Sequence, residues 1–434
     1  MNVLLAPAIV KAEPLENVRY VNATNGNDSA NDCLSAAAPC RTIQRAINQA
    51  QSNDTILVAS GTYTYAGADN PCDQFLGGLR AVVCIVNKQL TLKGGYPSGD
   101  WSAAAPANNP TIIDGENRVR GVYVLSSDPN RSSQAGIQME GFTVRQGYFQ
   151  GASSGNDAQT FAFGGGMLTD YASVVLRNMR FENNTVLGGG DRNEYGGSAS
   201  GGGAAIRRTP SRATIENVVF VANRAEGGAG RVRGGYGIGA GLYLLWSELN
   251  GSGLEFYENN SQGGSTQGDG RTGDYQKADA FGAGLSIMGY ADVTLSNVVA
   301  RNNHSRGGNA GVNAGDAFGG AIKVEGTPGI DANGDGVYES ATLRLFDCDL
   351  TDNSAQGGNG ANGGMAAGGA LETIHSTLVV ERCNIQNNTS QGGDGNAAQG
   401  PAGGGGLYLQ NLFYADPTAT VRNSVIAANR ASAG

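Results

Sequence analysis

The 434-residue chain holds 70 glycines, 12 prolines and only five lysines, and its formal net charge is −9. Glycine at this density excludes an ordinary helical protein, and the absence of a Gly-X-Y register excludes collagen. A net negative chain with so little lysine argues against nucleic acid or an anionic membrane as partner, and no apolar run is long enough for a transmembrane segment.

Taken in chain order, residues 1–17 lack both a basic start and a full apolar stretch. Ala6-Pro7-Ala8 reads as the tail of a signal-peptide leader whose beginning is absent. Residues 18–60 form an N-terminal cap. Within it RTIQRAINQAQ (41–51) places Ile43, Ala46, Ile47 and Ala50 on one helical face, and the helix is expected to lie across an otherwise open strand edge. Residues 61–160 read as irregular coils, through QLTLKGGY (89–96), TIIDG (111–115), GVYVL (121–125) and GIQMEGFTVRQG (136–147).

From 161 to 434 one phrase returns seven times: GGGML, GGGAA, GAGLY, GAGLS, GGAIK, GGALE, GGGLY. Later in each unit an apolar residue, two variable ones and an asparagine follow: FENN, FVAN, FYEN, ARNN, LTDN, IQNN, IAAN. A period that tolerates insertions marks a solenoid. Segments such as ATIENVVF (213–220) and TLRLFDCDL (342–350) alternate apolar and polar residues at period two, which is strand chemistry, and no crossover helix fits between them. The fold class expected is therefore all-β, a right-handed parallel β-helix with three strands per coil and a short N-terminal capping helix. Asn184, Asn223, Asn259, Asn303, Asn353, Asn388 and Asn429 are expected to stack as a structural amide ladder. Phe181, Phe220, Phe256, Ala300, Leu350, Ile385 and Ile426 are expected to stack as an inward ladder, preceded by Val144 in the same slot, with Gly147 standing where the asparagine would be. The Gly-Gly after six of the asparagines is read as backbone freedom for leaving the coil, with every glycine-rich insertion emerging from one edge.

Six cysteines fit an oxidising compartment. Local bridges Cys33–Cys40 and Cys72–Cys84 are expected. Cys348 and Cys383 share one register in adjacent coils, where a disulfide and a pair of small inward thiols fit equally well. The chain stops at Gly434 inside a repeat, so the C-terminus is read as truncated.

The paired motifs GGAI (319–322), GGAL (368–371), FENN (181–184) and FVAN (220–223) resemble polymorphic outer membrane protein repeats. The opening YVNATNGNDSANDC…PCRTIQRAINQA…NDTILVASGTY resembles the amino-terminal cap of bacterial surface proteins in the pectin-lyase-like superfamily. Together the resemblance spans residues 18–434 and implies a right-handed parallel β-helix. That superfamily includes lyases, hydrolases, autotransporter passengers and adhesins, so it does not fix a function. Several repeats depart from the pattern, carrying GAG in place of GGA.

A polysaccharide lyase or hydrolase on this fold needs outward carboxylates on neighbouring coils with a cationic or imidazole partner. The first outward positions after each glycine motif are Leu168, Ala205, Tyr243, Ser286, Lys323, Glu372 and Tyr408, and they yield one cluster: Lys323, Glu325, Glu372 and His375. An exposed salt-bridge ladder is the simpler account of it. DANGDGVYE (331–339) has the spacing of a structural calcium loop, with Asp331, Asn333, Asp335, the Val337 carbonyl and Glu339 as ligands, although Thr342 stands where a bidentate glutamate is expected. A plain Asn-Gly/Asp-Gly turn explains the same residues. The Tyr-containing loops 191–197 and 231–237 could stack on glycans, although a solvated loop is the commoner explanation. The function expected is non-enzymatic: a secreted or bacterial cell-surface adhesin, stalk or structural filament element, with a glycan, a surface protein or its own copies as partner. The alternative is a polysaccharide lyase or glycoside hydrolase acting on an acidic polysaccharide.

Overall fold

The structure is a computed structural model that describes residues 17–67, 70–74, 79–127, 135–153, 160–190, 194–266, 277–326, 341–410 and 418–434. Strand pairs between coils are parallel from the first coil to the last, with a register shift between Thr55–Ala59 and Gln89–Tyr96, and the chain is a right-handed parallel β-helix. Each regular coil begins with a four-residue lead strand such as Met167–Asp170, in a nine-stranded sheet. A long strand follows, here Ala172–Glu182, and then a three-residue strand after the asparagine, Thr185–Leu187. These are the three strands expected. A two-residue return strand, Ala199–Ser200 in the next coil, adds a short seven-stranded sheet of its own.

The long strand shows how the sequence sets the core. Val174 and Leu176 point inward at period two, but Met179 and Phe181 are also buried, three and five residues beyond Leu176. The phase is reset by Asn178, whose φ is +51°, and the same left-handed corner recurs at Asn217, Asn297 and Asp347. Asn and Asp tolerate this region because their short side chains bond locally. The inward ladder then stacks as expected: Phe181, Phe220 and Phe256 lie with ring centroids 5.1 and 5.2 Å apart and planes within 8°, an arrangement worth about 1 kcal/mol per pair beyond burial.

The asparagine ladder is continuous from Asn184 to Asn429. Each backbone N–H and each Nδ2 donates to the Oδ1 of the next asparagine, as from Asn259 to Asn303 at 3.1 and 2.9 Å. Each Nδ2 also donates to the carbonyl of the preceding coil's Phe-position residue, as from Asn303 to Phe256 at 2.8 Å. The ladder starts where Gly147 N–H donates to Asn184 Oδ1 and Asn184 Nδ2 donates to Val144 O.

The glycines do something other than confer freedom. None of Gly188, Gly189, Gly227, Gly228, Gly392 and Gly393 has a positive φ. Outgoing and returning segments instead meet in a backbone seam. Gly197 N–H donates to Gly189 O, Gly228 to Gly197, Gly235 to Gly228 and Gly264 to Gly235, at 2.7–2.8 Å. The pattern resumes from Ala278 through Gly308, Gly315, Gly358, Gly364, Gly393 and Gly400 to Gly434. A Cβ on Gly188 would lie 1.7 Å from Gly197 O, and one on Gly393 1.8 Å from Gly358 O. The requirement is close approach, not conformational range. Within the repeat phrase, left-handed φ falls on its first glycine: Gly164, Gly201, Gly239, Gly282, Gly319, Gly368 and Gly404. That explains why GGG, GAG and GGA interchange while their first residue does not.

Not all excursions leave from the seam. Segments 128–134, 327–340 and 411–417, whose own structure lies outside the described residues, are bounded by a lead strand on one side and a long strand on the other. They depart from a second corner; 128–134 and 411–417 hold no glycine, so the expectation for the glycine-rich insertions does not extend to them.

At the amino-terminal end the helix spans Ile43–Gln49 with Thr42 as N-cap, its hydroxyl accepting from Arg45 N–H. Ile43, Ala46, Ile47 and Ala50 are all buried against the first coils. Gln44 covers a strand edge: its side chain accepts from Cys84 N–H and donates to Cys84 O. Disulfides close Cys33–Cys40, Cys72–Cys84 and Cys348–Cys383. The last of these ties two adjacent coils within the core, where the sequence left bridge and free thiols equal. No helix among the described residues is long and apolar enough to cross a membrane.

Candidate functional site

The outer face of the lead-strand sheet was the natural place for chemistry, and two rows of side chains project from it. The first row, Leu168, Ala205, Tyr243, Ser286, Lys323, Glu372 and Tyr408, was expected to face solvent. The first six are buried and Tyr408, in the last coil, is half-buried. The return strands, placed by the left-handed glycine just before each lead strand, fold Phe163, Ile238, Phe281 and Phe318 over this face, and a second apolar cluster forms outside the tube. Sequence alternation correctly separated tube-inward from tube-outward, but it could not show that outward positions carry a roof. The second row, with Asp170, Arg207, Leu245, Met288, Glu325 and Ile374, is only partly exposed.

Lys323, Glu325 and Glu372 do come together. Lys323 Nζ lies 3.2 Å from Glu325 Oε2 and 3.4 Å from Glu372 Oε2. It also sits 4.2 Å from the Phe281 ring centroid and 4.8 Å from that of Phe318. Lys323 is 3 % exposed and Glu372 1 %. Burial pulls the ammonium toward neutrality, but Glu325 and Glu372 outweigh it and hold Lys323 above the usual lysine range. Burial is also the largest influence on Glu372, whose carboxyl is pushed up to about 7 against the pull of Lys323. Neither Glu372 oxygen accepts a hydrogen bond, so the 3.4 Å contact is an ion contact without hydrogen-bond geometry.

His375 stands at the next corner in a left-handed conformation, φ +49°, and is buried with Nδ1 unbonded. No hydrogen bond or ion pair joins it to the other three among the described residues. The calcium-loop residues Asp331, Asn333, Asp335, Val337 and Glu339 lie outside the described residues.

Sequence reading missed the half-buried charged neighbours of this cluster. Asp279 is pushed up to about 7, first by burial and then by the Asp316 carboxylate, although Asp316 N–H donates to it at 2.8 Å. Asp316 itself pairs with Lys277 at 3.0 Å. Farther along the face Asp170 contacts Arg207 at 3.7 Å and Arg208 at 3.6 Å. Arg120 is fully enclosed, donating to the carbonyls of Phe163 and Gly164 with its guanidinium 3.5 Å from the Phe149 ring centroid. Asp279, Asp316 and Lys277 belong to return segments, which have no fixed spacing from the lead strands in sequence. No periodicity could have paired them with Lys323.

The fold is a right-handed parallel β-helix. A family described as "Protein of unknown function (DUF1565)" matches residues 24–233. No curated protein matches. Among solved structures, the pectate lyase Pel9A is 12 % identical, with 95 % of this chain and 79 % of that one covered at a TM-score of 0.38. A rhamnogalacturonan lyase is 13 % identical, with 94 % and 87 % covered at 0.32. A GH136 lacto-N-biosidase from Eubacterium ramulus is 12 % identical, with 95 % and 68 % covered at 0.20. Likenesses this distant leave the function to the chain's own residues.

Proposed function

We propose that the chain is a stiff extracellular or cell-surface solenoid, acting as an adhesin, stalk or filament element, with a glycan or surface protein as partner. The observation that carries this reading is the roof over the lead strands. In the cluster of outward carboxylates and cation found among the described residues, Lys323 and Glu372 are closed off at 1–3 % exposure beside Phe281 and Phe318, where a polymer cannot touch them, and Glu325 is the partly exposed member. The three disulfides agree with an oxidising compartment. Screening the full chain against pectic and other uronic-acid polymers tests it. The expected result is no turnover, and release of products that Glu372→Gln abolishes refutes it.

One observation favours polysaccharide cleavage as a second reading. Glu372, pushed up to about 7 beside a cation, has the perturbation typical of a general acid or base. Turnover in the same screen, lost in Glu372→Gln but retained in Glu216→Gln on another face, supports it. Structural calcium at Asp331, Asn333, Asp335, Val337 and Glu339 remains a proposal resting on ligand spacing. Added calcium should raise the Tm of wild type and leave Asp335→Ala unmoved; equal behaviour of the two removes calcium from that loop.

A further inference from the structure

A cleft of about 510 Å³ opens on the outer face of the long-strand sheet near the cap, within the size range of small-ligand sites. Its floor comes from three successive coils. Lys93 and Tyr96 belong to strand Gln89–Tyr96, Glu140 ends strand Ala135–Glu140, and Asn178 stands at the left-handed corner of the third. Its wall is Pro106 and Ala107 from the loop that follows the first of these strands. That wall is held by shape. Gly95 and Gly141 take φ of +90° and +78°, and a Cβ on either would come within 2.8 Å of Pro106.

The polar groups are unevenly spent. Lys93 and Glu140 are register partners on adjacent strands, yet no ion pair joins them among the described residues. Glu140 accepts one hydrogen bond, from Asn178 Nδ2 at 3.2 Å, and Asn178 Oδ1 accepts from Asn217 Nδ2 at 3.4 Å. The cleft therefore presents a triple donor without an ion-pair partner among the described residues, a carboxylate that only accepts and an amide that does both, against an apolar wall. Vicinal hydroxyls, each both donor and acceptor, match this set, and the C–H face of a pyranose matches Pro106 and Ala107. One positive and one negative charge cancel, so the lining favours a neutral ligand over a uronate or an amine.

We infer that this cleft is a binding site for a neutral pyranose unit, terminal or within a glycan. The inference does not depend on the scaffold reading, since an enzyme could carry the same site. The test is saturation-transfer NMR and calorimetry on the full chain with methyl β-glucopyranoside, methyl β-galactopyranoside and N-acetylglucosamine, and glucuronate as the charged comparison. At least one neutral sugar should bind saturably, with affinity falling tenfold or more in Lys93→Met and in Glu140→Gln. Ala107→Trp, an exposed loop substitution that fills the cleft without touching its polar groups, should abolish binding at unchanged Tm. Binding by none of the neutral sugars, binding that survives Ala107→Trp, or glucuronate bound as well as the best neutral sugar would overturn the assignment.

Discussion

Replacing Asn303 by Ala tests whether the amide ladder holds the coils together. Asn303 Oδ1 accepts from both the N–H and the Nδ2 of Asn259, and its Nδ2 donates to Asn353 Oδ1 and Phe256 O. Asn303 and Asn259 are 0 % exposed, so water cannot replace the lost partner. After truncation the Asn259 N–H is left without an acceptor, costing about 1–3 kcal/mol. With the lost amide bonds and the small void, the total is about 3 kcal/mol. Asn429→Ala removes the equivalent bonds to Asn388 and Ile385, but that site is half-exposed and water substitutes, leaving about 1 kcal/mol. A solenoid opens locally, so a single global transition is a poor readout. Native-state hydrogen exchange by mass spectrometry, on peptides spanning Asn259, resolves the local effect. Opening there should become roughly a hundredfold more frequent in Asn303→Ala, with roughly a fivefold change at the Asn388 amide in Asn429→Ala. An interior change below fivefold, or equal changes at both sites, would show that the ladder is a consequence of stacking and contributes little to it.

The glycine seam makes a sharper structural demand. Gly228→Ala would set a Cβ 2.1 Å from Gly189 O and should lower Tm steeply or abolish soluble expression. Gly99→Ala, in open space at φ +84°, should cost only about 1–2 kcal/mol; similar losses in the two would refute the close-approach argument. The buried acids predict an inverted pH dependence. Glu372 and Asp279 have folded-state values near 7, above their ordinary carboxyl values of 4.5 and 3.8. Between those values the folded state holds protons that the unfolded state has released. Their stabilising contribution is thus complete below about pH 4 and is lost as pH rises toward 7. Urea denaturation at pH 5 and pH 8 should show wild type less stable at the higher pH, and Glu372→Gln should flatten part of that slope; an unchanged slope would place the Glu372 carboxyl in water.

How much of this was legible in the sequence depends on the range of the interaction. The asparagine and phenylalanine ladders were readable because a parallel coil places equivalent residues about 4.8 Å apart, so a repeated letter becomes a column. Gly147 and Val144, which depart from the repeat's residues, were still legible as the column's beginning. The capping helix was legible from the spacing of Ile43, Ala46, Ile47 and Ala50. The glycines were counted correctly and explained wrongly, because composition cannot distinguish a residue needed for φ from one needed for contact.

The sequence by itself determined the coil: its period, its inward face and its polar ladder, all of which arise between residues with the same place in the repeat. Tertiary structure alone decided what happens outside the coil. Whether Lys323 and Glu372 face water or Phe281 and Phe318 depends on segments that return across insertions of variable length. So does the neighbourhood of Asp279 and Asp316. The cleft beside Glu140 likewise exists only because Pro106, more than thirty residues away in sequence, seats against Gly141. Periodicity encodes contacts between like positions, such as Lys323 with Glu372 and Lys93 with Glu140; contacts between unlike positions are set by packing in three dimensions, and they decide whether such a pair is roofed over or open to solvent.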